Sequence, residues 1–320
     1  CGQFIRRPFR LQEISPLLHK AARRHKMTGT SQIQSRPSQL PMTLLEDGTT
    51  VITLEHPDQP LVILDQCLLD RLDQTLDTLS DDCPAVLIAS GDEKVFIAGA
   101  DLKEIDGLDD DQLLGYLANG ARIFGKLANL SCPTIALING AALGGGLELA
   151  LHCTAIVAAR TNAKGRSYPI GLPEAGLGLC PGWGGTQLLP GRIDPTEGIQ
   201  ATANGTPFKI DDAPSGLIDQ FAETPEQLMT TALDWLKSNP EPTGLRSIQT
   251  ADQAAVRTAL EHIQSNTGQS AAHLAVCDAV LTGLDRGLES GLEAERRLLV
   301  ALRQTEETRT KLNAFFEGAR

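Results

Sequence analysis

Short apolar runs alternate with helical patterns over the first two-thirds of the chain. Residues 50–55 alternate between apolar and polar positions, which is typical of a half-buried strand. Continuous apolar runs predict further strands at residues 85–89, 95–98, 134–138 and 155–158. Helical patterns separate several of these runs, so the order of elements predicts an α/β layer fold.

Three helices are expected between the strands. The first begins near Asp65, a good N-cap residue, and the last covers residues 145–152 after a glycine turn. The middle helix begins at the acidic triplet 109–111, which suits the positive end of a helix dipole. The inward-facing residues would be Leu68, Leu69 and Leu76 on the first helix, and Leu113, Leu117, Ala121 and Phe124 on the middle one.

Beyond about residue 194 the strand patterns disappear. Helical patterns cover residues 226–237, 251–264, 270–286 and 288–303, and the proline-rich segment 238–244 is the clearest linker. Six leucines fall on one predicted stripe of the last two helices: Leu281, Leu284, Leu288, Leu292, Leu299 and Leu302.

Charge and cysteine content exclude several classes of function. The net charge of −12 over 320 residues argues against a nucleic-acid or anionic-membrane surface. Seven scattered cysteines without a Cys-x-x-Cys pair fit reduced thiols, which predicts a cytoplasmic protein. The run 132–159 is apolar enough to suggest a membrane span, but Pro133, three glycines, Glu148 and His152 oppose that interpretation. We expect no membrane span.

The beginning of the chain differs from the rest in charge. Residues 1–26 carry seven Lys/Arg and only one acidic residue, Glu13, and they lack the apolar stretch of a secretory signal. An Arg-rich transit segment is one interpretation. A disordered or spuriously translated extension over residues 1–41 is the interpretation we favour, with Met27 and Met42 as candidate starts.

Two glutamates in glycine-rich, apolar surroundings are the strongest chemical signal. Glu148 lies in the run 141–151, and Glu174 lies in 171–178. Burial favours the neutral form of a carboxyl group and raises its pKa, so such residues are rarely kept without a partner or a task. Nearby glycines leave backbone N–H groups accessible. The two glutamates and these N–H groups together suggest a site that transfers protons beside a developing oxyanion. A purely structural interpretation also exists for each: a charge at a helix N-terminus for Glu148, and a loop carboxylate beside Pro173 for Glu174.

Other motifs do not complete a site. Residues 120–126 resemble the start of a phosphate loop, but Leu127 follows where Ser or Thr is needed, within a helical pattern. The glycines at 176 and 178 are followed by Pro181 and lack the dinucleotide fingerprint. The six histidines show no metal-ligand spacing, and no Gly-x-Ser-x-Gly elbow occurs. We therefore expect no metal site. Paired carboxylates could also indicate a glycosidase, but only 4% of the residues are aromatic, which leaves little surface for stacking sugars.

Three blocks of sequence resemble the crotonase (enoyl-CoA hydratase/isomerase) superfamily. They are residues 96–104, 133–150 and 171–187, and the resemblance covers about residues 42–222. It implies a crotonase-like (ββα superhelix) core over 42–222, followed by a helical C-terminal region over 223–320. The end of the chain resembles the tail of the hydratase half of fused fatty-acid β-oxidation enzymes, without the fused dehydrogenase half.

The resemblance implies a coenzyme A thioester substrate and no separate cofactor. Ala100 and Gly145 match the two oxyanion-hole positions, and Glu148 and Glu174 match the acid/base glutamates of the hydratases. The remaining positions implied to bind substrate are Ala98, Gly99, Asp101, Leu102 and Lys103 toward the adenine end, Gly144, and Trp183 beside the acyl pocket.

Two departures from the family pattern bear on this assignment. Glu148 and Glu174 are 26 residues apart, about four more than expected, and the extra length is expected within 159–169, where a loop tolerates it. If it instead displaced Glu174, hydratase activity would fail. Val62 stands where the family usually has Asn, so Asp65 is expected to take over capping.

The leading hypothesis is an enoyl-CoA hydratase that adds water to 2-trans-enoyl-CoA in β-oxidation. An enoyl-CoA isomerase, which can work with a single glutamate, is the alternative enzyme, and a non-catalytic acyl-CoA-binding scaffold is the alternative from another class. The expected partners are the acyl-CoA substrate and either further copies of the chain, as a trimer or hexamer, or a separate 3-hydroxyacyl-CoA dehydrogenase. No nucleic-acid partner is expected.

Overall fold

A computed structural model describes residues 38–56, 59, 61–265 and 269–318. Most of the predicted basic extension therefore lies outside the described residues. The part that is described already joins the core: the Leu40 side chain is buried, and its N–H donates to Thr75 Oγ1 over 2.8 Å.

Two mainly parallel sheets form the framework. In the first, the strand order is β1-β2-β3-β5-β7-β10, and in the second it is β4-β6-β8-β9, with β1 and β9 antiparallel to their neighbours. The bounds are β1 Met42–Leu44, β2 Thr50–Leu54, β3 Val86–Ser90, β4 Val95–Ile97, β5 Thr134–Ile138, β6 Ala141–Leu143, β7 Ala155–Ala159, β8 Pro169–Gly171, β9 Phe208–Lys209 and β10 Gln220–Ala222.

Helices connect and cover these strands. Their bounds are α1 Gln66–Leu76, α2 Leu102–Gly107, α3 Asp110–Ala128, α4 Gly145–Leu151, α5 Gly185–Arg192, α6 Pro195–Asn204, α7 Leu228–Ser238, α8 Gln253–Gln264, α9 Ala271–Arg286, α10 Leu288–Arg303 and α11 Glu306–Gly318. Across the described ranges, no helix is long and apolar enough to cross a membrane.

Side-chain alternation along the first sheet explains its two covered faces. Ile88 and Ile156 point into the main core, whereas Leu87 and Val157 point to the opposite face. There α7 contributes Leu228 and Ala232, so an element predicted only as a helix covers the sheet. A strand that is buried on both faces has apolar residues at consecutive positions, which is the pattern seen in the sequence.

The local predictions in the first half of the chain are confirmed. The Asp65 side chain caps α1 by accepting the Leu68 N–H over 2.7 Å, and Asp109 caps α3 in a reciprocal capping box with Gln112. The phosphate-loop look-alike at 120–126 lies within α3, as expected.

The four helices predicted in the second half are present, but two expectations for this half are wrong. Strands do occur beyond residue 194, because β10 extends the first sheet beside β7 and β9 extends the second. Helices α6 and α11 were not predicted. The leucine stripe is not continuous: Gly287, with φ +91°, separates α9 from α10, and Leu284, Leu299 and Leu302 enter three different apolar clusters.

The C-terminal helices fold back onto the core. Helix α10 packs on α3 and α5, and its Leu299 joins the main core. The Arg303 guanidinium, almost fully buried, donates to the carbonyl groups of Ile105 and Leu108. Part of the region 223–320 is therefore packed against the core.

Candidate active site

A small cavity of about 60 Å³ lies where the second sheet ends. The strands β4, β6 and β8 are parallel, so their carboxyl ends meet at one edge. The predicted site residues that line this cavity are Ala98, Gly99, Ala100, Leu102, Gly144, Gly145, Glu148, Glu174 and Trp183. The structure thus brings together nine positions drawn from all three sequence blocks.

Glu148 lies in the first turn of α4 with 1% of its surface exposed. Its Oε1 accepts the N–H groups of Trp183 over 2.7 Å and Gly185 over 2.9 Å. Burial raises the pKa of Glu148 to about 7, although these backbone donors act in the opposite direction. The carboxylate is therefore held in place by amides and balanced between its two protonation states near neutral pH.

Glu174 reaches the same cavity from the turn after β8. Its Oε2 is buried and has no hydrogen-bond partner among the described residues. Burial raises its pKa well above the usual range, and the charge of Glu148 adds to this effect. An unpartnered oxygen favours the neutral carboxylic acid, because a buried carboxylate without donors is costly. The two glutamates consequently differ: Glu148 is held as an acceptor, and Glu174 is favoured as an acid.

The backbone N–H groups of Ala100 and Gly145 are available at this edge. Leu64 forms bridging hydrogen bonds with the neighbours of Ala100, namely Gly99 and Asp101, and leaves the Ala100 N–H unused. Gly145 is the first residue of α4, where a helix leaves N–H groups unpaired. Within the described part of the chain, neither N–H has a hydrogen-bond acceptor. Both positions line the cavity, as expected for a pair of oxyanion donors.

Trp183 forms a rigid wall of the cavity. Its Nε1–H donates to the Leu117 carbonyl over 3.0 Å, and its ring stands edge-on to Tyr116 and Phe124, with centroid separations of 5.4 Å in both cases. A Cβ on Gly145 would overlap this ring, so glycine is needed at that position. Trp183 therefore both shapes the wall and, through its backbone N–H, holds Glu148.

Two of the predicted substrate-binding residues do not line the cavity. The Asp101 side chain caps α2 by accepting the N–H groups of Lys103 over 2.9 Å and Glu104 over 3.3 Å. Lys103 lies on the exposed side of that short helix. Their predicted contacts with the adenine end of a coenzyme remain predictions.

The segment in which extra residues were predicted forms a local loop after β7. Asn162 closes it: its N–H donates to the Arg166 carbonyl over 2.9 Å, and its side-chain oxygen accepts the Lys164 N–H over 3.0 Å. The loop is largely exposed at 163–166, and Glu174 still reaches the cavity. Glu174 therefore keeps its place at the cavity, and the assignment of the extra residues to this loop remains a prediction.

A third buried carboxylate, which was not predicted from the sequence, lies beside the cavity. Glu295, on α10, is 0% exposed and accepts hydrogen bonds from Gly184 and Thr186, immediately after Trp183. A signal was present: Glu295 lies at helical spacing between Leu292 and Leu299, so it interrupts an apolar stripe.

A separate group joins His56, Asp65 and Cys67, whose ligand atoms lie within 4.8 Å of one another. His56 Nε2 is 2.9 Å from Asp65 Oδ2, while Asp65 Oδ1 accepts the Leu68 N–H that starts α1. Capping and the histidine contact account for both oxygens of Asp65, so helix capping explains this group without a metal ion.

The raised pKa of Glu148 predicts that stability falls as pH rises. In the unfolded state the carboxyl group releases its proton near its ordinary pKa of 4.5, whereas in the native state it keeps the proton until about pH 7. The stabilisation is full below 4.5 and is lost as pH rises through 7, by roughly 3 kcal/mol for this shift. Chemical denaturation at pH 5 and at pH 8 measures the unfolding free energy. Its decrease from pH 5 to pH 8 should be smaller for Glu148→Gln than for the unsubstituted protein. Equal decreases would contradict the assignment, and Glu293→Gln, an exposed substitution, should keep the full decrease.

Comparisons of the sequence with known proteins point to one family. Residues 45–241, more than half of the chain, match the family model for enoyl-CoA hydratase/isomerase. Subunit alpha of the fatty acid oxidation complex of Idiomarina loihiensis is 32% identical over 86% of this chain and 40% of its own length. A probable enoyl-CoA hydratase of Rhizobium meliloti is 33% identical over 83% of this chain and 90% of its own length. The chain thus spans about 40% of the length of the oxidation-complex relatives.

Solved structures extend the likeness to the fold. The enoyl-CoA hydratase of Bacillus anthracis is 25% identical with a TM-score of 0.57, covering 87% of this chain and 96% of its own. A carnitinyl-CoA dehydratase of Mycobacterium thermoresistibile has a TM-score of 0.62 at 20% identity, over 87% of this chain and 89% of its own. The predicted crotonase-like fold with a helical C-terminal region is confirmed. The chain belongs to the enoyl-CoA hydratase/isomerase family, within the crotonase superfamily.

Proposed function

We propose that this protein is an enoyl-CoA hydratase that adds water to 2-trans-enoyl-CoA, giving 3-hydroxyacyl-CoA in fatty-acid β-oxidation. One observation carries the proposal: two buried glutamates with raised pKa values line one cavity together with two unpaired backbone donors. Hydration needs a base, an acid and a site for negative charge, and these groups supply all three.

The two glutamates divide the proton transfers. Ionised Glu148, steadied by the Trp183 and Gly185 amides, takes a proton from water as the water oxygen bonds to C3. The electron pair of the C2=C3 bond moves toward the thioester and forms an enolate. Protonated Glu174 then delivers its proton to C2, which completes the addition and leaves the pair with the same total number of protons. A placed acid or base of this kind contributes about 10²–10⁴-fold in rate.

The enolate oxygen is the group that the Ala100 and Gly145 amides would bind. Both donors are fixed before the reaction by the bridge at Leu64 and by the start of α4, so little reorganisation is needed. Each such donor is worth about 3–4 kcal/mol when charge develops on the oxygen. Glu148 and Gly145 are three residues apart on α4, which places the base and the donor on neighbouring positions of one helix turn.

A comparison of two substrates separates the hydratase from its enzymatic alternative. With purified protein, 2-trans-enoyl-CoA should lose its conjugated ultraviolet absorbance and give 3-hydroxyacyl-CoA by chromatography. Conversion of 3-enoyl-CoA to 2-enoyl-CoA without hydration would replace the hydratase by an isomerase. An acyl-CoA that is bound but not consumed would instead establish the scaffold. A series of chain lengths in the same assay defines the acyl preference.

The C-terminal helices pack on the core of their own chain, which favours a monomer as the oligomeric state. The alternatives are a trimer or hexamer and a complex with a separate 3-hydroxyacyl-CoA dehydrogenase. Sizing chromatography of the assayed sample, with and without such a dehydrogenase, distinguishes the three.

A further inference from the structure

The third buried carboxylate has a specific set of partners. Glu295 Oε2 accepts the Gly184 N–H over 2.6 Å, and its Oε1 accepts the Thr186 N–H over 2.7 Å and the Thr186 hydroxyl over 2.5 Å. The donors are 109 and 111 residues away along the chain. A fully buried glutamate from the C-terminal region is thus bound to the loop that borders the cavity.

These donors alternate with the donors that hold Glu148. Along residues 183–186, the first and third N–H groups bind Glu148, and the second and fourth bind Glu295. All four lie at the start of α5, where N–H groups are unpaired and the helix dipole favours anions. Gly184 has φ +109°, a conformation that favours glycine and that the hydrogen bonds on both sides maintain.

No cation offsets the carboxylates in this part of the described structure. His152, the residue after α4, lies beside Gly184. Burial lowers its pKa to about 4, so its ring is neutral near pH 7. Burial keeps the neighbouring Cys180 thiol, Cys277 on α9 and Tyr116 on α3 protonated by raising each pKa. The charge that can change near neutrality therefore lies on Glu148, Glu174 and Glu295.

We propose that Glu295 is a positioning residue: by binding the Gly184 and Thr186 amides, it keeps the alternating Trp183 and Gly185 amides directed at Glu148. The inference rests on the proposed function, because it assigns a task to the same acid–base pair. Glu295 makes no contact with the substrate in this scheme; it acts through the loop 183–186. It also makes the C-terminal helices necessary for the site.

A second consequence is electrostatic. Burial, together with the charge of Glu148, raises the pKa of Glu295 to about 8. Where Glu295 is ionised, its negative charge disfavours charge on Glu174 and so raises the pKa of Glu174. Replacing Glu295 by a neutral group removes this repulsion and lowers the pKa of Glu174, which moves the alkaline limb of the pH–activity profile toward acid. A residue with only a structural role would change the folded fraction without moving this profile.

The test uses three substitutions at the contact and one matched control. Glu295→Gln removes the charge and sets an amide NH₂ against one backbone donor. Thr186→Val removes the hydroxyl that donates to Glu295 and accepts from Gln187 Nε2, and it keeps the charge of Glu295. Glu295→Asp also keeps the charge but shortens the side chain. The control is Glu293→Gln on the same helix, an exposed residue that pairs with Arg297. For each, kcat, KM and the pH profile of kcat/KM for 2-trans-enoyl-CoA hydration are measured below the unfolding transition.

We expect Glu295→Gln to lower kcat about tenfold or more with little change in KM, and to shift the profile toward acid by about one pH unit. Thr186→Val and Glu295→Asp should lower kcat severalfold without that shift, and Glu293→Gln should behave like the unsubstituted protein. Unchanged kcat and an unmoved profile in the folded variants overturn the proposal. If Glu295→Gln does not fold, Thr186→Val and Glu295→Asp provide the test, and an unchanged kcat in both overturns the proposal.

Infrared titration gives a readout that needs no turnover. The C=O band of buried protonated carboxyl groups disappears as these groups ionise. In Glu295→Gln the part of this band that comes from the other glutamates should disappear at lower pH than in the unsubstituted protein. An inactive unsubstituted protein would overturn the proposed hydratase function, and the infrared shift would then decide the positioning role alone. An active protein with no change in either readout would overturn the positioning role alone.

Discussion

Glu174→Gln is expected to lower kcat for enoyl-CoA hydration by about 10²–10⁴-fold, with KM changed much less. The amide has nearly the same shape but has no acidic proton to deliver to C2. Glu174 Oε2 makes no hydrogen bond among the described residues, so the substitution disrupts no partner that would complicate the result. Steady-state kinetics at a pH where the unsubstituted protein is fully active measure the change.

Glu148→Gln provides the companion measurement. Its amide oxygen can still accept from Trp183 and Gly185, so the loop stays in place while the base is lost. If the two glutamates work as one unit, the double substitution should cost little more than the more damaging single one. Turnover close to that of the unsubstituted protein in both single variants would contradict the mechanism, and an isomerase should depend strongly on only one of the two.

Local interactions explain why much of the fold could be predicted. Asp65 is followed by a helical pattern, and its side chain caps the helix three residues later; both the signal and its cause lie within a few positions. The glycine-rich segments before Glu148 and Glu174 were equally informative, because a carboxylate among apolar residues has an unusual desolvation cost wherever the chain folds. These signals needed no knowledge of distant contacts.

Contacts between distant residues explain what could not be predicted. Strand β10 is three residues long and forms only because Phe221 pairs with Ala158, 63 residues earlier. Glu295 was taken as part of a helix, since its donors at Gly184 and Thr186 become neighbours only after α10 folds back. Its place in an apolar stripe could have indicated burial, but only the fold shows which groups it binds.

Gly144→Ala is expected to lower both the stability of the protein and its hydration activity. Gly144 has φ +54° and ψ −127°, a conformation that residues with a Cβ rarely adopt, and strain of this kind costs about 1–3 kcal/mol of unfolding free energy. A Cβ there would also lie 2.6 Å from Glu174 Oε1, so the acid must move. A displacement of about 1 Å in a reacting group can cost about 10²-fold in rate. Denaturation curves and kcat for hydration measure the two effects separately.

Gly125→Ala is the matched control, because its Cβ would meet nothing within 4 Å on α3. It should keep full activity and add up to about 1 kcal/mol of stability, since alanine is the better helix former. The decisive comparison places Gly144→Ala in the Glu174→Gln background. If the new methyl group acts on catalysis by displacing the Glu174 acid, it should lower kcat there much less than in the unsubstituted protein. An equal loss in both backgrounds would show that the methyl group acts elsewhere, on the oxyanion donor at Gly145 or on substrate entry.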